Sequence, residues 1–103
     1  MAKLVRDRIP EIIFRDTRKS PRVRIPTSDS EYRRVLYNKL REEVAEFIKS
    51  QGIEKGIEEL ADILEVIDEI CNFRRFNKAA VLEKQRAKAL ERGKFHKRFI
   101  LGG

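Results

Sequence analysis

The chain has no tryptophan and only one cysteine, one methionine and one histidine in 103 residues. The lone Cys71 excludes an internal disulfide and suits a reducing compartment, so a cytoplasmic location is expected. Cys71 reads as a buried core thiol rather than a nucleophile or ligand. The lone His96 has no second residue at metal-ligand spacing, which argues against a zinc site and against a histidine-based triad. A phosphate contact or a plain surface position suits it better. No apolar run approaches the roughly 20 residues that a membrane helix needs. The basic start MAKLVRDRIPEII is broken by Asp7 and Glu11 and is followed by no small-residue cleavage site, unlike a signal peptide. No P-loop or dinucleotide fingerprint occurs, and Gly102-Gly103 forms no phosphate loop. Neither an internal repeat nor a low-complexity tract is present.

What is abundant is charge. Charged residues make up 40% of the chain and apolar ones 41%, with three prolines and five glycines, a balance that fits a soluble helical protein. The length predicts a single domain over 1–103. A chain of this size buries about two-thirds of its unfolded surface, so a partner subunit is an expected source of further stability. The net charge of +7 is unevenly spread. Acidic residues gather between Glu42 and Glu69, while basic ones flank them from Arg15 to Arg24 and from Arg74 to Arg98. That layout is either an ordinary solvated basic surface or an acidic centre ringed by cations that receive a polyphosphate.

Along the chain, Lys3 to Asp16 begins with a short extended piece and continues as a short helix, with Asp7 as its cap and Pro10 in its first turn. Thr17 to Pro26 reads as a loop with one extended stretch at Val23 and Ile25. Ser28, with Glu31 three residues on, matches a capping box, and the helix it opens should run to about Ser50, ending before Gly52. Its apolar stripe is Tyr32, Leu36, Leu40, Val44, Phe47 and Ile48. On a wheel of about 100° per residue Glu43 falls inside that stripe, and Glu42 and Glu46 fall on its edge. The next helix, about Ile53 to Phe76, carries two stripes. One is Ile57, Leu60, Leu64, Ile67 and Cys71; the other is Ile63, Val66 and Ile70, with Glu59 projecting along it. A helix with two apolar stripes packs on two sides, and one neighbour is expected from another subunit. Asn77 caps a last helix from Lys78 to about Arg92, closed by Gly93. In the tail KFHKRFILGG, Phe95, Phe99 and Leu101 are expected to dock onto the body.

Glu43 with Glu46, and Glu59 with Asp62, form two pairs at i, i+3. Residues three apart share a helix face, so an antiparallel hairpin of the two helices brings the pairs together. One such pair is ordinary, because glutamate is a good helix former. Two matched pairs on adjacent helices, with Glu43 and Glu59 on apolar faces, are not. A carboxylate on an apolar face is costly unless compensated. An all-oxygen set selects a hard cation, Mg²⁺ with Mn²⁺ as a substitute, over Zn²⁺.

The spacing Glu43-xx-Glu46, twelve residues, Glu59-xx-Asp62 resembles the ExxE…ExxD motif of the MazG-like all-α nucleoside triphosphate pyrophosphohydrolases. The opening KLVRDRIPEII and the closing ERGKFHKRFIL resemble a phosphoribosyl-ATP pyrophosphohydrolase-like branch of that superfamily. Two departures stand out: Lys94 lies where a second glycine is typical, and ELADILEVIDEI lacks the Tyr-His that follows the aspartate in the histidine-pathway enzyme. The resemblance implies a helical bundle completed by oligomerisation, as a homodimer or homotetramer. It also implies Mg²⁺-dependent cleavage of NTP or dNTP between the α- and β-phosphates, giving a monophosphate and pyrophosphate. Glu43, Glu46, Glu59 and Asp62 would be the metal ligands and Glu42 a base or supporting group. Lys3, Arg6, Lys84, Arg92, Lys94 and Lys97 are candidates for holding phosphates. Two alternatives stay open: a phosphoribosyl-ATP hydrolase of histidine synthesis, and a non-catalytic basic module that binds nucleic acid. Nucleic-acid binding would explain the positive balance but not the acidic centre.

Overall fold

A computed structural model describes residues 2–103. Among the described residues the regular elements are all helices, with no strand: α1 (Ile9–Thr17), α2 (Asp29–Lys49), α3 (Ile53–Arg74) and α4 (Lys78–Arg92). None of these helices is long and apolar enough to cross a membrane. The chain divides into two compact units, one up to Ile67 and the other Asp68–Gly103, with α3 running through the boundary.

In the first unit α1 starts at Ile9 with Pro10 in its first turn, where the missing N–H costs nothing. The expected Asp7 cap is not made. Arg8 occupies the cap position in helical backbone geometry and gives no side-chain hydrogen bond. The loop after α1 holds no strand at Val23 and Ile25, whose side chains are largely exposed. An isolated extended segment with no partner strand leaves its backbone groups to solvent.

α2 is opened as the capping box predicts on one side only. The Ser28 Oγ accepts from the Glu31 N–H at 3.1 Å. The Glu31 carboxylate does not close the box onto Ser28. It accepts instead from the Thr27 N–H at 2.8 Å and takes a two-pronged contact from Arg24, at 3.0 and 2.7 Å. Arg24 first, then the Thr27 amide, holds the Glu31 carboxyl down at about 2. A depressed folded-state value means stability present above the unfolded carboxyl range, near 4.3, and lost as pH falls toward 2. Wild-type Tm should therefore drop between pH 4.5 and 2 more steeply than that of Glu31→Gln, measured by thermal melts across that window. Parallel curves would remove Glu31 from the acid response.

Ser50, Gln51 and Gly52 join α2 to α3. Gly52 sits at φ 84°, a left-handed conformation that favours glycine, and turns the chain back into a hairpin. Packing within this unit is thin. Leu36 and Val66 are its buried apolar side chains, at 1% and 8% exposure, and they come from the Leu36 stripe of α2 and the Val66 stripe of α3. The other stripe of α3 is left open: Ile57, Leu60 and Leu64 are all exposed, and so is Ile53.

In the second unit α3 ends in a tight turn. The Phe76 N–H donates to the Cys71 carbonyl, and Arg75 takes a left-handed conformation at φ 58°. Cys71 is a buried free thiol, as expected of a core cysteine. The Asn77 side chain caps α4 by accepting from the Ala79 and Ala80 N–H groups. Lys78 forms an ion pair with Asp68. Beyond Gly93 the tail does not dock as the sequence suggests: Phe95, Phe99, Ile100 and Leu101 are almost fully exposed. Lys94 and His96 flank Phe95, and Lys97 and Arg98 separate it from the run Phe99-Ile100-Leu101.

Candidate metal centre

The hairpin sets the register of the acidic side chains. Glu43 lies six residues before the end of α2 at Lys49, and Glu59 six residues after the start of α3 at Ile53. At about 1.5 Å of rise per residue, both stand about 9 Å from the bend, so they face each other. Asp62 is one turn further along α3. Glu43, Glu59 and Asp62 each place a carboxylate oxygen within 4.8 Å of the others, a spacing one cation can bridge. Glu43 and Glu59 are buried, at 8% and 5% exposure, and Asp62 is half-buried.

Glu46 is not part of this group and is exposed. The antiparallel register explains why. Moving three residues on from Glu43 goes toward the bend, whereas moving three residues on from Glu59 goes away from it. Glu46 and Asp62 are thus displaced in opposite directions, by about 4.5 Å each along the axes. Glu46 instead stands level with Gly56. Matched spacing in sequence does not produce four converging carboxylates; it produces three and an outlier.

Each member of the trio has its own cation. Lys39 Nζ lies 3.1 Å from Glu43, Lys55 Nζ 3.1 Å from Glu59, and Arg6 Nη2 2.7 Å from Asp62. Lys39 and Lys55 each sit four residues before their glutamate on the same helix, where side chains are neighbours. The Glu59 hydrogen bond, with the charges of Glu58 and Glu59, raises Lys55 above its ordinary value. These two lysines are absent from the site residues expected on sequence grounds, although the repeated Lys-xxx-Glu spacing is plain to read. Lys55 is more than half exposed, whereas Lys39 is largely buried between Glu42 and Glu43. Three carboxylates otherwise held this close repel one another.

Glu42, the candidate base, is half-buried beside the trio, with Lys3 at 3.6 Å and Lys39 at 3.5 Å. Lys3 and Arg6 were both expected to hold phosphates. They are placed against carboxylates here, Arg6 also reaching Glu65 at 4.0 Å. That location is compatible with phosphate contact, since both side chains remain more than half exposed. Lys84, Arg92, Lys94 and Lys97 belong to the second unit and are exposed on it. There Lys84 borders a shallow hollow with Phe76 and Val81, and Lys97 lies over the Phe99 ring.

The donor set fits a hard divalent ion: oxygen atoms alone, three carboxylates, two of them shielded from solvent. No protein-family model, curated protein or solved structure matches the chain.

Proposed function

We propose that the chain is a nucleoside triphosphate pyrophosphohydrolase of the MazG-like all-α kind, acting on NTP or dNTP with Mg²⁺. The observation that carries this reading is the convergence of Glu43, Glu59 and Asp62 within 4.8 Å, from the two helices whose acidic pairs resemble the family motif. Mg²⁺, or Mn²⁺ in its place, would be held by these three residues. When bound it would neutralise the polyphosphate and polarise the attacked phosphoryl group. Glu42 accepts a proton from a water as its oxygen bonds the α-phosphorus. The bond from that phosphorus to the α,β-bridging oxygen breaks, and pyrophosphate leaves with the electron pair. Lys3 and Arg6 supply positive charge to the phosphates beside the carboxylates.

Glu46 has a smaller part in this reading than the sequence motif implies. Glu46→Gln should weaken Mg²⁺ affinity by less than about tenfold, while Glu43→Gln weakens it by more than about 100-fold, both followed by calorimetric titration. Equal losses would place Glu46 in the ligand set after all. Direct product analysis tests the reaction itself. NTPs and dNTPs incubated with Mg²⁺ should give monophosphate and pyrophosphate, and a chelator should stop it. Monophosphate without pyrophosphate, or no product from any nucleotide, would overturn it. Phosphoribosyl-ATP hydrolysis would use the same chemistry on a different substrate, and the panel with phosphoribosyl-ATP added separates the two. A basic nucleic-acid module leaves the buried Glu43 and Glu59 without a purpose.

The same reading includes a homo-oligomer, and the open stripe of α3 supports it. Ile53, Ile57, Leu60, Leu64 and Ile67 centre on Leu60. A two-fold axis there would set Ile53 against Ile67 of a second copy, and Leu64 over Gly56, where no atom lies within 4 Å of the missing Cβ. The matching of like apolar positions about one point favours this chain itself as the occupant.

A further inference from the structure

A second feature of the first unit remains unused by the carboxylate chemistry. The segment leading into α1, α1 itself and the loop before α2 enclose a cavity of about 510 Å³. That volume lies within the range of roughly 300–1,000 Å³ usual for small-molecule sites. Leu4, Val5, Ile9, Ile13, Val23 and Ile25 line it, with Val35 from α2. Several of these apolar side chains are left exposed, Val23 at 58% and Ile25 at 84%. The charged lining is one-sided: Lys3, Arg6, Arg22 and Arg24 against Asp7 alone. Arg24 is paired with Glu31, while Lys3 and Arg6 are paired with Glu42 and Asp62 on the side of the acidic helices.

Arg6 connects this cavity to the metal centre. It lines the cavity and also reaches Asp62 at 2.7 Å. Lys3 does the same through Glu42. A ligand suited to both places has an uncharged end with surface for aliphatic contact and an anionic end that arrives at the carboxylates beside two cations. A nucleotide has that build. We infer that this cavity takes the nucleoside portion of the substrate, base and sugar lying between α1 and the 21–26 segment, with Lys3 and Arg6 at the junction to the phosphates. The inference rests on the pyrophosphohydrolase reading for its ligand class. It goes further in placing recognition of the nucleoside outside the acidic helices, on the N-terminal segment and the loop.

The uncharged part of the lining is aliphatic and prolyl, with no aromatic ring, and its hydrogen-bonding side chains are the charged Lys3, Arg6, Asp7, Arg22 and Arg24. Aliphatic walls give shape and dispersion contacts rather than stacking, and with Lys3, Arg6 and Arg24 engaged by carboxylates, discrimination among the four bases should be weak. The test uses α,β-methylene analogues of the triphosphates of all four bases with Mg²⁺, added to the isotope-labelled full chain and followed by amide NMR shifts. Inorganic tripolyphosphate serves as the probe that lacks a nucleoside. Nucleotide-specific shifts should fall on residues 4–13, 21–26 and 35, and tripolyphosphate should leave most of these unmoved. Val23→Asp should weaken nucleotide-analogue binding by at least tenfold and leave tripolyphosphate binding unchanged. Nucleotide-specific shifts elsewhere, or none at all, would overturn the inference. Hydrolysis of NTP with shifts outside the cavity would sink the cavity assignment alone. Shifts inside it with no hydrolysis would sink the reaction and keep the site.

Discussion

Glu59→Gln should lower pyrophosphate release from nucleoside triphosphates at least about 100-fold, and the same change should not destabilise the metal-free protein. The two halves follow from one geometry. Glu59 is the most buried of the three carboxylates and shares its site with Glu43 and Asp62 within 4.8 Å. At that separation and an effective dielectric of about 20, each like-charged pair is opposed by roughly 3.5 kcal/mol before neighbouring cations offset it. Replacing Glu59 by its neutral isostere removes two of those pairs. What it removes in exchange is a contact to Lys55, whose side chain is more than half exposed and can return to water. Thermal melts with and without Mg²⁺ give the decisive comparison. Wild type should gain Tm as Mg²⁺ is added, because an ion that binds only the folded state stabilises it by mass action. The variant should start at an equal or higher Tm in chelator and gain nothing. A variant several degrees less stable in chelator would show that Glu59 is held mainly by Lys55, as an ordinary ion pair. Its loss of activity would then reflect damage to the fold.

Leu64→Glu, combined with Leu60→Glu, should convert an oligomer to a monomer. Leu60 and Leu64 lie on the α3 stripe that the first unit leaves open, at 48% and 59% exposure. In a two-fold interface each substitution appears twice, so four carboxylates would have to be desolvated at the centre of the contact. Burying an unpaired charge is costly enough that the protein would dissociate rather than pay it. Sedimentation at micromolar concentration should show wild type as a dimer or tetramer and the double variant as a monomer, a weakening of more than about 1,000-fold. Because the substituted side chains point away from Leu36 and Val66, helical content by circular dichroism should hold. A wild type that sediments as a monomer at every concentration would overturn the arrangement. So would a double variant that keeps the wild-type assembly.

Helical class, the Ser28 and Asn77 caps and the two buried glutamates were legible without coordinates, because they depend on neighbours within a turn or two; the Asp7 cap was not made. Ser28 and Asn77 accept from the amides that their spacing assigns. Glu43 and Glu59 are buried where a wheel places them on apolar faces. Local competition already blurs this legibility. Glu31 has the spacing for a reciprocal box, but Arg24 and the Thr27 amide claim its carboxylate. The Phe and Leu of the tail are apolar by count, yet remain in solvent.

By itself, then, the amino-acid sequence determined which faces are apolar, where helices start and stop, and that carboxylates interrupt two of those faces. Helical periodicity and capping are short-range, so residue order suffices for them. Only the tertiary structure decided which carboxylates meet. The reversal at Gly52 sends equal steps along α2 and α3 in opposite directions, admitting Asp62 and leaving Glu46 outside. It also decided that Arg6, 56 residues away in the chain, closes on Asp62, joining the N-terminal cavity to the acidic helices. Contacts over such a separation depend on the path of the whole backbone, which no local pattern encodes.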